Sequence, residues 1–395
     1  MSTTATFAEH FSSFISLAAK ITETEVAESS FERANFLRNM RDHDVGIWSA
    51  DTRPLGRGGT FAVRRFVGDL ETAGVDEHIA LKTILTTYSH TDSAEVKARL
   101  VSAMLELRVL SHPRIRREEN IVRLLSVAWQ SDPVNFDRRW PVLLVEYADR
   151  GTLVDFFETE NSVVTSLKWH LCLDVARGLQ VLHRLKVFHG DIKLSNVLVY
   201  TYSGDANRPV IAKLADIGGA LLDMEAECRS HSGTFPWTAP ESGQLMSRSK
   251  LLQCDIYSFG LLVWRICVDG QNPFSDPSAG AYPAPLTKDQ IIREKERPDI
   301  AKVARDSLLK TDVYGLSELF EYSLTSSGAR DLEHLVSILE GEPILQGRQY
   351  STIFDTCLTL DDRVLIVRRG ICHCAEIFQR MYLPASLSVL TVVFI

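Results

Sequence analysis

The stretch His189-Gly-Asp-Ile-Lys-Leu-Ser-Asn-Val-Leu-Val199 decides the reading of this chain. It closes on an apolar run of strand type. Before it, Leu167, Leu171, Val175, Leu179 and Leu182 recur at helical spacing. Asp191, Lys193 and Asn196 therefore share one loop between a helix and a strand. Transfer of a phosphoryl group asks for these three side chains. A carboxylate orients the attacking hydroxyl and accepts its proton, a cation meets the γ-phosphate, and an oxygen ligand holds Mg²⁺.

Working outward, the next strand, Ile211-Ala-Lys-Leu-Ala215, ends in Asp216-Ile-Gly218. A carboxylate at a strand end, followed by glycines, suits a second magnesium ligand. Upstream lies Leu55-Gly-Arg-Gly-Gly-Thr-Phe-Ala-Val63, where glycines let a hairpin backbone approach phosphates. Taken alone, it is an ordinary hairpin. Ile79-Ala-Leu-Lys82 is an apolar strand ending in one lysine, placed to hold α- and β-phosphates if it faces the same cleft. Such a lysine needs a carboxylate to fix it. Glu106 lies at the edge of the helical stripe Val96, Leu100, Met104, Leu107 and Leu110, where a side chain reaches inward. Taken singly, each of these charges reads equally well as solvated surface.

Composition sets the class. The 395 residues are 45% hydrophobic and 24% charged, enough for a large core. A net charge of -8 argues against nucleic acid, whose backbone needs a clustered positive field. Seven cysteines form no disulfide-like framework, and Cys372 and Cys374 beside His373 lack a second ligand cluster, so free thiols in a reducing, cytoplasmic compartment are expected. Residues 254–268 are apolar nearly all round but too short, and too charged at Asp255 and Arg265, to span a bilayer. The apolar tail 382–395 is also shorter than the roughly 20 residues a span needs, so a membrane partner is not expected.

These motifs together resemble the protein kinase family. Lys82 resembles the lysine of V-A-I-K and Glu106 its helix partner; His189-Gly-Asp191 resembles H-R-D, Asp216-Ile-Gly218 resembles D-F-G, and Ala239-Pro-Glu241 matches A-P-E. Gly233-Thr-Phe-Pro-Trp-Thr-Ala-Pro-Glu241 looks like the substrate-facing end of an activation segment, and Asp255-Ile-Tyr-Ser-Phe-Gly260 like the start of the family's buried anchoring helix. The resemblance implies ATP and Mg²⁺ as cofactors and a protein substrate. It makes Asp191, Lys193, Asn196, Lys82, Glu106 and Thr234 catalytic, with Thr234 meeting the aspartate and lysine, and Asn196 and Asp216 the metal ligands. It lines the nucleotide site with Leu55, Gly56, Gly58, Val63, Ala80, Lys82, Val145, Glu146, Ala148 and Leu198. Val145 stands at the gatekeeper position, and Glu146 and Ala148 offer backbone hydrogen bonds to adenine. Arg330 resembles the arginine that pairs with Glu241.

The implied fold is α+β and two-lobed: a helical extension over 1–49, then a kinase domain over 50–340. That domain has a small antiparallel-sheet lobe (50–147) and a mostly helical lobe (148–340), and the tail 341–395 is left without a structural assignment. Tyr257-Ser-Phe-Gly260 and Val263-Trp264 lean toward the tyrosine-kinase-like group, while Lys193 and Thr234 follow the Ser/Thr pattern. Signalling by phosphorylation of Ser/Thr hydroxyls is the expected activity. The alternative is a pseudokinase serving as an ATP-binding scaffold, against which stands the intact set Lys82, Asp191, Asn196 and Asp216. A small-molecule kinase of the aminoglycoside-phosphotransferase type shares His-Gly-Asp but not Lys193, Gly218 and Ala239-Pro-Glu241. The sequence names no substrate and no oligomeric state.

Three positions depart from the family pattern. Phe61 replaces the third loop glycine, Ile217 the Phe of D-F-G, and Gly190 the arginine of H-R-D. Without that arginine, and with Leu221 where a second cation often stands, a phosphate on Ser230 or Ser232 has no obvious receptor. Activity is therefore expected not to need activation-segment phosphorylation. The segment 275–315 is longer than a minimal connection; its charges over Lys288–Arg297 read as a solvated helix, with a docking surface as the alternative.

Overall fold

Short apolar runs broken by glycine and polar turns make the first part of the chain a sheet. The computed structural model describes residues 12, 15–19, 52–66, 78–85, 94–132, 139–160, 162–205, 208–221, 231, 233–274, 286–308, 316–324, 332–341, 360–361, 364–367 and 391–394. Strands β1 (Thr52–Arg57), β2 (Phe61–Phe66) and β3 (Ile79–Ile84) are followed by helix α1 (Ala94–Leu110) and by β4 (Leu124–Ser131) and β5 (Arg139–Glu146). The strands form one sheet in the order β1-β2-β3-β5-β4, every neighbouring pair antiparallel. Helix α1 buries Val96, Leu100, Leu107 and Leu110 of the expected stripe, while Ala103 is buried in place of Met104, which is half-buried.

The larger lobe is helical. It comprises α2 (Leu153–Thr159), α3 (Thr165–Arg184), the hairpin β6 (Val197–Thr201) and β7 (Val210–Leu214), α4 (Arg248–Cys267), α5 (Lys288–Lys295), α6 (Ile300–Leu308), α7 (Ser317–Leu324) and α8 (Leu332–Gly341). This is the two-lobed α+β arrangement expected from the sequence. Helix α4 is buried over almost its whole circumference, as its apolar run requires.

The chain divides into two compact units, residues 1–339 and 340–395. In the second, β8 (Leu360–Asp361), β9 (Val364–Val367) and β10 (Thr391–Phe394) form a sheet in the order β10-β9-β8, with β9 and β10 parallel. At the other end, residues 15–19 are helical with Ala18 buried and Ile15 exposed. Phe7, Phe11 and Phe14, which share helical spacing with Ile15 and Ala18 in the sequence, lie outside the described residues, as do Arg330 and the Cys372-His373-Cys374 cluster. Among those described, no helix is long and apolar enough to cross a membrane, and Cys172, Cys254 and Cys267 are free thiols.

Asp255 of α4 ties the larger lobe together. Its buried carboxylate accepts hydrogen bonds from the backbone amides of His189 (2.8 Å) and Gly190 (2.9 Å), and His183 Nε2 lies 3.0 Å away. A helix thus supplies the acceptors that the loop backbone would otherwise lack. Asp255→Ala strands two buried N–H groups. It is expected to cost about 2–5 kcal/mol in urea unfolding, with Asp255→Asn, which keeps one acceptor, losing distinctly less. Equal losses for the two would show that the acceptor oxygens are not what matters.

Candidate active site

Strand β3 carries Lys82 to the interior, and α1 brings Glu106 against it. Lys82 Nζ bonds Glu106 Oε1 and stands 3.6 Å from Asp216 Oδ1. Glu106 is fully buried, while the Asp216 carboxylate is half exposed. Burial works to discharge Lys82, but Glu106 and Asp216 outweigh it and hold the ammonium above its ordinary pKa. Asp216 itself has left-handed backbone (φ 60°), rare outside glycine. The turn after it is tied to α1 by Ser102, whose hydroxyl donates to Gly218 O at 2.7 Å.

The loop between α3 and β6 brings the second group together. Lys193 Nζ donates to Asp191 Oδ2 (2.6 Å) and to Thr234 Oγ1 (2.8 Å). Asn196 Nδ2 donates to Asp191 O (2.9 Å) and Oδ2 (3.0 Å). The backbone amide of Thr234 lies 3.2 Å from Asp191 Oδ1, so Thr234 reaches the lysine through its hydroxyl and the aspartate through its amide. Burial raises the Asp191 carboxyl, yet the bonds from Lys193, Thr234 and Asn196 outweigh it and hold the group below the usual carboxylate range.

His189 stitches the two groups to each other. Its Nδ1 accepts from the Asp191 amide at 3.3 Å, so the proton sits on Nε2, which donates to Ala215 O at 3.2 Å. Burial lowers its pKa and keeps the ring neutral. The Ala215 amide in turn donates to Asn196 O at 2.9 Å, placing the residue before Asp216 beside the loop of Asp191.

The expected nucleotide-lining residues fall on adjoining strands. Gly56 pairs with Val63, Val63 with Lys82, and Ala80 with Val145 across β1, β2, β3 and β5. Leu198 packs against Ala148, Tyr200 and Ile211. Leu55 is exposed, and Gly58 closes the hairpin through its amide to Phe61 O. Glu146 O accepts from Tyr200 Oη at 3.3 Å, whereas the Ala148 amide has no hydrogen-bond partner among the described residues. Phe61 does more than stiffen a loop tip: its ring is buried, with the Lys82 ammonium 4.5 Å from its centroid.

The donor set suits a magnesium nucleotide. Asn196 spends its NH₂ group on Asp191, leaving its amide oxygen without a hydrogen-bond partner among the described residues. The Asp216 carboxylate is accessible, and both are hard oxygen donors of the kind Mg²⁺ prefers. A cation, Lys82, stands beside that carboxylate for phosphate.

Two features escaped sequence reasoning. Glu146 is pinned by Lys213, whose Nζ lies 2.9 Å from both carboxylate oxygens, and by the Arg123 amide at 2.8 Å. Lys295, expected on a solvated helix, is buried. Its ammonium donates to Pro236 O (3.0 Å) and to Thr238 O, and stands over the rings of Phe235 and Tyr257. Burial lowers its pKa to about 8, with Glu241 opposing. The available signal was its spacing from Ile291: the two are the buried residues of α5, one turn apart.

Comparison with known proteins gives a consistent family. The family described as protein tyrosine and serine/threonine kinase matches residues 51–307. The chain is similar to "Serine/threonine/tyrosine-protein kinase HT1" of Arabidopsis thaliana, 26% identical over 55% of this chain and 52% of that protein. It is also similar to "Megakaryocyte-associated tyrosine-protein kinase" of Rattus norvegicus, 26% identical over 58% of this chain and 43% of that one. A third relative is "Mitogen-activated protein kinase kinase kinase" of Drosophila melanogaster, 28% identical over 43% of this chain and 15% of that one. The matches thus span about half or less of each relative.

Replacing Lys295 by Met keeps the apolar stem and removes the donors to Pro236 and Thr238. Amide exchange across residues 234–241 is expected to quicken about 5- to 30-fold, the equivalent of about 1–2 kcal/mol of lost local stability. Unchanged protection would mean that the segment is held by other contacts.

Proposed function

We propose that this chain, which belongs to the protein tyrosine and serine/threonine kinase family, transfers the γ-phosphate of ATP to Ser and Thr hydroxyls of proteins. One observation carries the reading: Lys82, held between Glu106 and Asp216, and Asp191, held by Lys193 and Asn196, are both assembled and are linked through His189 and Ala215. Asn196 and Asp216 would hold Mg²⁺, which when bound neutralises phosphate charge. Lys82 would position the α- and β-phosphates, and the Ala148 amide would meet adenine. Asp191, kept ionised, orients the acceptor hydroxyl and takes its proton late in the reaction, because a carboxyl of low pKa is a weak base. Lys193 bridges that carboxylate and Thr234, the pattern that supports Ser/Thr over Tyr acceptors. The sequence details of α4 favour the tyrosine-kinase-like group, and the free cysteines favour the cytoplasm.

The second reading, a scaffold that does not transfer phosphate, draws on Phe61, whose buried ring covers one side of the Lys82 ammonium. Turnover with γ-labelled ATP and phosphoamino-acid analysis separate the two. Lys82→Met and Asp191→Asn are each expected to lower transfer about 100-fold or more, with phosphoserine and phosphothreonine as products of the wild type. Either variant at wild-type turnover rules out this mechanism. Phosphotyrosine alone would move the specificity, and no transfer by a wild type that binds ATP would favour the scaffold.

A further inference from the structure

Gly190 stands where the family pattern carries an arginine, and the space beside it is filled. A Cβ built on Gly190 would lie 2.6 Å from His231 Cε1 and 2.9 Å from Nε2. His231 belongs to the segment that follows Asp216, and its Nε2 bonds Gly190 O. Since a carbonyl only accepts, Nε2 carries the proton. The imidazole also meets the Phe188 ring edge-on, centroids 4.8 Å apart, and its own backbone carbonyl accepts from the Gly243 amide at 2.8 Å. No side chain larger than hydrogen fits at position 190 while His231 is in place; Gly190 also adopts φ +82°, which favours glycine.

The consequence falls on one peptide unit. The carbonyl of Gly190 is gripped by His231, and the amide of Asp191, across the same peptide plane, by His189 Nδ1. A planar peptide held at both ends has one orientation, which fixes the N–Cα bond of Asp191; with the Asp191 carbonyl held by Asn196 at 2.9 Å, the direction in which the side chain leaves the backbone is set. We propose that His231 is a positioning residue for Asp191: it latches the segment after Asp216 onto the catalytic loop beside the position where the family pattern has an arginine, by a hydrogen bond that requires no phosphate. This rests on the kinase reading of the site.

Two substitutions separate the bond from the packing. Gln can carry an N–H donor to the place of Nε2; Phe keeps a ring against Phe188 but cannot donate. His231→Phe is expected to lower kcat about 10- to 100-fold with KM for ATP within about twofold, as displacement of a catalytic group does. His231→Gln is expected to retain kcat within about threefold. Hydrogen exchange of residues 188–192 gives a readout independent of turnover: faster in the Phe variant, unchanged in the Gln variant. If the Phe variant matches wild type in both measures, or the Gln variant is as impaired as Phe, the latch is overturned. If the wild type transfers no phosphate while exchange responds as expected, the latch stands and the kinase reading falls.

Discussion

The buried carboxylate of Asp255 is the constraint on which the site depends. It sits on α4, the most thoroughly buried helix of the larger lobe, and its two oxygens take the amides of His189 and Gly190. His189 passes the restraint to Ala215 and hence to the neighbourhood of Asp216, and Gly190 leads directly into Asp191. A loop alone would sample many backbone states. Fixing it to a helix that cannot move without opening the core makes the geometry a property of the fold.

The charges follow the same logic. Lys82 serves two carboxylates, and the three form a chain running from full burial at Glu106 to the half-exposed Asp216. Removing charges from water is costly, and such a chain persists only where each member is paired. The arrangement has a polarity: the deep end anchors, while the carboxylate at the other end is accessible, as the proposed metal role requires. Phe61 adds a ring beside the ammonium where the family pattern has glycine. It covers one side of the Lys82 ammonium.

Much of this was legible in the sequence because the decisive groups are close along the chain or lie on regular elements. Asp191, Lys193 and Asn196 share one loop, and α1 follows the expected apolar stripe at every position but Met104, placing Glu106 inward. What was not legible is tertiary. Lys295 sits among charged residues and reads as solvent-facing until Phe235 and Tyr257 bring their rings from distant segments to its ammonium. His231 carries no periodic signal, and only the fold shows that the vacancy at Gly190 and the imidazole are one feature. The Glu146–Lys213 pair joins positions 67 residues apart, with nothing local to announce it.

On the proposed reading, the arrangement around Asp191 needs no phosphate on the segment that follows Asp216. The direct measurement is transfer of labelled γ-phosphate from magnesium ATP to a protein acceptor by the chain after exhaustive phosphatase treatment, its phosphate content shown by mass to be zero at the start. The account predicts transfer at full rate from the first time point. A chain that stays inert until phosphorylated, or that accelerates after a lag as it becomes so, would contradict it.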